Sequence, residues 1–132
     1  MWAVAIAATV GQRWHSLKPT NVRQPGAFRQ PPLTESSGAV RSRSYPGRFW
    51  SINDSGNPAT LFLADTAGRV SGFVRIPDVS DTDWEAVSAG PCRSGWCVYI
   101  ADIGDNREIR RSATIFRMIE PTVAQLRASA VP

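Results

Sequence analysis

The sequence predicts an all-β fold, a partial β-propeller of about two four-stranded blades behind a disordered N-terminal extension. Short apolar runs separated by clusters of Asn, Asp, Ser and Gly predict strands joined by turns. Gly and Pro contribute ten residues each to a chain of 132, which favours many short elements over a few long helices. A degenerate repeat then selects among β architectures. Glu35 and Glu85 stand 50 residues apart, Trp50 and Tyr99 stand 49 apart, and Ala59-Thr60-Leu61-Phe62 returns as Ala113-Thr114-Ile115-Phe116 after 54. A period of ~40–50 residues built only from short strands marks propeller blades, because one blade cannot bury both faces and must stack on the next. A β-sandwich whose strands match by chance is the competing reading. It does not require the turn cluster and the Ala-Thr-apolar-Phe segment to recur together.

Residues 1–34 read as a signal-like segment followed by a Pro-rich linker. Met1 to Val10 (MWAVAIAATV) resembles the apolar core of a secretory signal, although no positive charge precedes it. It is about half as long as a membrane-spanning helix, so an integral membrane protein is not expected. From Gln12 to Pro32, four prolines interrupt a polar stretch without a period.

Blade 1 is assigned to residues 35–78. Phe49-Trp50-Ser51-Ile52 is a strand, stopped by Asn53-Asp54-Ser55-Gly56-Asn57-Pro58. Thr60 to Ala64 is the next, and Arg69 to Ile76 returns antiparallel across the Asp65-Thr66-Ala67-Gly68 turn. Blade 2 is assigned to residues 79–132, with strands at Trp84 to Ala89, Trp96 to Ala101 and Ala113 to Ile119. Thr122 to Ala130 reads equally as a short helix or as an outer strand. Two blades fall short of a closed ring of at least four, so a fragment of a longer propeller is expected.

The net charge of +4 is unevenly placed, with +6 on residues 1–50 and −2 on residues 51–132. Lys18 is the one lysine among fifteen cations, yet the arginines are scattered and interleave with no aromatic patch. Nucleic acid is therefore not an expected partner.

Cys92 and Cys97 flank four residues that include Gly95, and a hairpin there brings them within disulfide range. Such a bond implies an oxidising compartment, and two free thiols are the alternative. Zinc is not expected, since His15 is the one histidine and there is no second cysteine pair. Carboxylates concentrate in residues 78–108, at Asp78, Asp81, Asp83, Glu85, Asp102, Asp105 and Glu108. Asp83 and Glu85, two apart, share one face of a strand. Oxygen-only clusters suit a hard cation, Ca2+ above all, and Asn53, Asp54, Asp102 and Asp105 offer oxygens from matching turns. The alternative is that Asp and Asn are there as turn formers. With no Gly-x-Ser-x-Gly elbow, phosphate loop or dinucleotide fingerprint, neither a nucleophilic serine nor a nucleotide cofactor is expected. Trp50, Phe62, Tyr99 and Phe116 are expected between blades, and Trp84 has no assigned role.

Glu35-Ser36-Ser37-Gly38, the Pro46-Gly47 turn, Trp50-Ser51-Ile52-Asn53-Asp54-Ser55-Gly56, Asp83-Trp84-Glu85 and Tyr99-Ile100-Ala101-Asp102-Ile103-Gly104-Asp105-Asn106 together resemble the opening blades of secreted bacterial β-propeller proteins. The resemblance spans roughly residues 33–121. It departs at Ala86, where such proteins often carry a fourth-position Asp after Asp-Trp-Glu. More distantly, the pattern is similar to six-bladed propellers of the gluconolactonase, strictosidine-synthase and phytase-like esterase groups. The resemblance implies Glu35, Asn53, Asp83, Glu85 and Asp102 as ligands of Ca2+ or another divalent cation. It implies an extracellular or periplasmic module that binds a small molecule or protein through channel-side turns. One alternative is a metal-dependent lactonase or phosphoesterase, the cation acting as Lewis acid and a carboxylate activating water. Another is a scaffold for protein partners that needs no metal.

Overall fold

The computed structural model describes residues 23–28, 31–79 and 83–128, and over them the chain is nearly all-β. The signal-like segment, His15, Asp81 and most of the linker lie outside the described residues. Four strands, β1 (Ser36–Arg41), β2 (Arg48–Asn53), β3 (Thr60–Asp65) and β4 (Val70–Arg75), form an antiparallel meander in chain order. A second antiparallel sheet holds β5 (Trp84–Cys92), β6 (Gly95–Asp102) and β7 (Thr114–Ile119), and α1 (Val123–Ala128) follows it. Four strands were expected in each sheet, and the second has three among the described residues. The cause is local. Pro121 cannot donate to a ladder, and Thr122 and Gln125 form a capping box, with the Thr122 N–H donating to Gln125 Oε1 at 2.8 Å.

Side chains alternate between sheet faces, so each strand divides its residues between two layers. On one face of the first sheet Trp50, Ile52, Leu61 and Leu63 meet Trp84, Val98 and Ile100 of the second, forming the main core. Trp50 and Trp84 are fully buried, and burying a large apolar side chain contributes roughly 1.5–3 kcal/mol. Trp84, the residue without an assigned role, stands at the centre of this core with its ring 6.0 Å from that of Phe116. On the other face of the first sheet, Phe62 and Phe73 are covered by Phe28 and Leu33. The C-terminal end of the linker is therefore packed, with Leu33 fully buried.

The repeat is visible in three dimensions, with its register moved. Ser36 pairs with Asn53 and Gly38 with Ile52, leaving Ser37 as a bulge, while Trp84 pairs with Asp102 and Ala86 with Ala101, leaving Glu85 as a bulge. The Glu35 N–H donates to Asn53 Oδ1 at 3.1 Å, and the Asp83 N–H donates to Asp102 Oδ1 at 3.1 Å. Glu35 thus corresponds to Asp83 rather than to Glu85. Trp50 faces the second sheet, whereas its match Tyr99 lies between the core residues Val98 and Ile100 and so faces away from the first. Tyr99 is half-buried there, not part of the core between sheets. Ile115 and Ile119 stand 60% and 56% exposed on this outer face.

One carboxylate ties the sheets together beside β2. Glu120, just after β7, is 6% exposed and sits inside the loop between β1 and β2. It accepts from Ser42 Oγ at 2.6 Å, the Arg43 N–H at 3.0 Å, the Ser44 N–H at 3.2 Å, Ser44 Oγ at 2.7 Å and Trp50 Nε1 at 2.7 Å. Burial works against its charge, but the bonds from Ser42, Trp50 and Ser44 outweigh it and hold the carboxyl down to about 2 from an ordinary 4.5. The Tyr45 hydroxyl donates to Pro121 O at 2.9 Å, and its pKa is raised by burial and by the charge of Glu120. No helix among the described residues is long and apolar enough to cross a membrane.

Candidate cation site

The far end of β2 carries the second junction between the sheets. Asp54 follows β2, Asp83 precedes β5, and Glu85 is the bulged second residue of β5. The bulge re-aims Glu85, because an unpaired extra residue bends the strand locally. Trp84 then enters the core while its two acidic neighbours turn towards Asp54. Asp54, Asp83 and Glu85 each offer an oxygen, and the three oxygens lie within 4.8 Å of one another. No ion pair to any of them occurs among the described residues, where the pairs are Arg48–Asp65, Arg69–Asp65 and Arg110–Asp102.

Asp83 is the anchor. It is 7% exposed, and its Oδ1 is buried without a hydrogen-bond partner among the described residues. Among the described residues its Oδ2 receives a long bond of 3.4 Å from Asn106 Nδ2. The carboxylate lies directly over Gly104, where a Cβ would collide with it. A buried, partnerless carboxylate oxygen costs free energy that a bound cation offsets. Three oxygen donors of this kind are the chemistry that a hard cation takes.

A cleft of about 680 Å³ opens beside Asp83. Ser55 and Gly56 of the turn after β2 form one wall, and the loop between β6 and β7 forms the other. That loop is braced from within. Asp105 accepts from the N–H groups of Ile109 and Arg110, both at 2.9 Å. The Arg110 guanidinium donates to Gly104 O at 2.7 Å and to Asp102 O at 2.9 Å, and it pairs with Asp102. Arg107 lines the same cleft and is exposed.

Of the five ligands implied by resemblance, the structure brings Asp83 and Glu85 together. Asn53 is committed to the backbone, accepting from the N–H groups of Thr34 and Glu35 and donating to Pro32 O at 2.8 Å. Asp102 is committed in the same way, to the Asp83 N–H and to Arg110. Glu35 accepts from Asn57 Nδ2 at 3.0 Å. Asp54, named from the sequence only as one turn oxygen among several, completes the triad. Strand alternation turns it away from its neighbour Asn53, whose own inward direction only the structure shows. Cys92 and Cys97 lie at disulfide distance, with Cα atoms 5.8 Å apart across the tip of the hairpin joining β5 and β6.

Comparison of the chain with protein-family models, with curated proteins and with solved structures finds no match.

Proposed function

We propose that this chain is a calcium-binding recognition module of the propeller type, acting in an oxidising, extracytoplasmic compartment. The observation that carries the reading is the meeting of Asp54, Asp83 and Glu85, with Asp83 buried and its Oδ1 without a hydrogen-bond partner among the described residues. Ca2+ takes six to eight oxygens, and three carboxylates leave positions for an outside ligand. The propeller assignment is supported by the front-to-back stacking of the sheets. Matched residues Trp50 and Tyr99 point in the same sense along the stack, whereas a two-fold sandwich would turn them towards each other. The cysteine pair supports the compartment.

Recognition is preferred over hydrolysis because of how the carboxylate in the cleft wall is used. Asp105, the one acid there besides Asp83 among the described residues, is held by two loop N–H groups, whereas a water-activating base needs a free lone pair aimed into the site. Calorimetric titration of the full chain with CaCl2 tests the reading. Heat uptake or release with a rise in melting temperature is expected, and both are lost in Asp83→Asn. No heat and no thermal shift at millimolar Ca2+ overturns it.

A further inference from the structure

We propose that the cleft beside the cation triad binds a small organic carboxylate, a monoanion on an apolar body, held between the bound cation and Arg107. The inference rests on the calcium reading above and adds the class of ligand. Asp83 belongs both to the triad and to the wall of the cleft, so a cation held there presents its open positions to the cleft. The second polar contact is Arg107. Arg107 lines the cleft, is exposed, and has no hydrogen bond or ion pair among the described residues. Arg110 and Asp105, the other charged groups of that wall, are spent on bracing the loop.

Two cationic contacts facing one cleft select an oxyanion for the ligand's polar end. The charge count then limits its valence. A divalent cation and Arg107 together offset the charges of Asp54, Asp83 and Glu85, so the loaded cleft is neutral before the ligand enters. A carboxylate adds one negative charge against a carboxylate-rich wall, whereas a phosphate monoester adds nearly two. The apolar end has its own contact. Ile109 is 71% exposed and lines the cleft, and an alkyl chain laid against it removes apolar surface from water.

The test is a titration of the full chain in two steps. CaCl2 is added first, without any carboxylate, and failure to bind there overturns the calcium reading itself and this inference with it. Sodium hexanoate, sodium acetate and methyl phosphate are then titrated separately into the Ca2+-saturated chain. Hexanoate is expected to bind at least threefold more tightly than acetate, and not at all in EDTA. Arg107→Gln, at an exposed position, is expected to weaken hexanoate roughly tenfold in a chain that still binds Ca2+. The inference is overturned, with the calcium reading intact, by any of three results. These are no hexanoate binding to the Ca2+-loaded chain, tighter binding of methyl phosphate than of hexanoate, or unchanged hexanoate affinity in Arg107→Gln.

Discussion

The two ends of β2 carry the same kind of group in opposite situations. At its start, Glu120 reaches across from the second sheet into a ring of five donors from Ser42, Arg43, Ser44 and Trp50. At its finish, Asp54 meets Asp83 and Glu85, and the buried Oδ1 of Asp83 has no donor among the described residues. Both junctions join the first sheet to the second. One is closed by the chain itself, and the other is an excess of negative charge that the described residues leave uncompensated. A carboxylate that the fold has already satisfied is a structural tie. A carboxylate that the fold has buried and left short of partners marks where something from outside completes the structure.

The largest expected effect comes from breaking the closed end. Glu120→Ala leaves Ser42 Oγ, Trp50 Nε1 and the loop N–H groups without their acceptor, and a loss of about 3–5 kcal/mol in urea unfolding is expected. Glu120→Gln keeps one oxygen and should lose less. Next in size is the pH response. Because the folded carboxyl titrates near 2 and the free group near 4.5, the tie is at full strength above pH 4.5 and fades as pH falls towards 2. That withdraws about 3 kcal/mol. Unfolding curves of wild type and Glu120→Gln should converge across this window, and parallel curves would show that the charge of Glu120 is not what the clasp uses.

The two junctions were unequally legible in the sequence. The strands β2, β3, β4 and β6 announce themselves through compact apolar runs between turn formers, and the Trp50–Tyr99 spacing does mark the same strand of each sheet. β1 does not, because Ser36–Arg41 is held by its ladder to β2 and offers little apolar surface of its own. The acidic pair Asp83 and Glu85 was readable from its spacing, although the bulge at Glu85, not plain alternation, sets the direction of that side chain. Asp54 was not, since choosing it over Asn53 requires knowing that Asn53 is consumed by the backbone of Thr34 and Glu35. Glu120 gave no signal at all. Its partners lie more than 69 positions away, and a lone glutamate before a proline says nothing of a loop that folds over it from the other sheet.

A covalent tie inside one sheet separates these effects from general loosening. The Cys92–Cys97 link closes the hairpin joining β5 and β6, at the opposite end of β5 from the triad and beside the Glu120 junction, where the Glu120 N–H donates to Trp96 O at 2.9 Å. Chain-entropy arguments for so short a loop give about 2 kcal/mol. Cys92→Ser with Cys97→Ser should therefore lower stability by that amount in denaturant, while the calcium response persists. Loss of the calcium response in the double variant would instead show that the triad depends on the far end of β5.

The smallest effect is the most discriminating. Without calcium, Asp83→Asn removes one of three converging negative charges and turns an ionised buried group into a neutral one. It should raise stability by about 1 kcal/mol. With calcium at about a hundred times its dissociation constant, wild type gains about 2.7 kcal/mol by mass action, and the variant, lacking its anchoring ligand, gains little. The ranking of the two proteins should therefore reverse when calcium is added. Gly104→Ala provides the steric counterpart, since its Cβ displaces the Asp83 carboxylate without altering any charge. That variant should lose the calcium response while keeping all three carboxylates. If both variants melt below wild type in EDTA and respond normally to calcium, the triad is a second structural tie like Glu120, and the contrast between the two ends of β2 disappears.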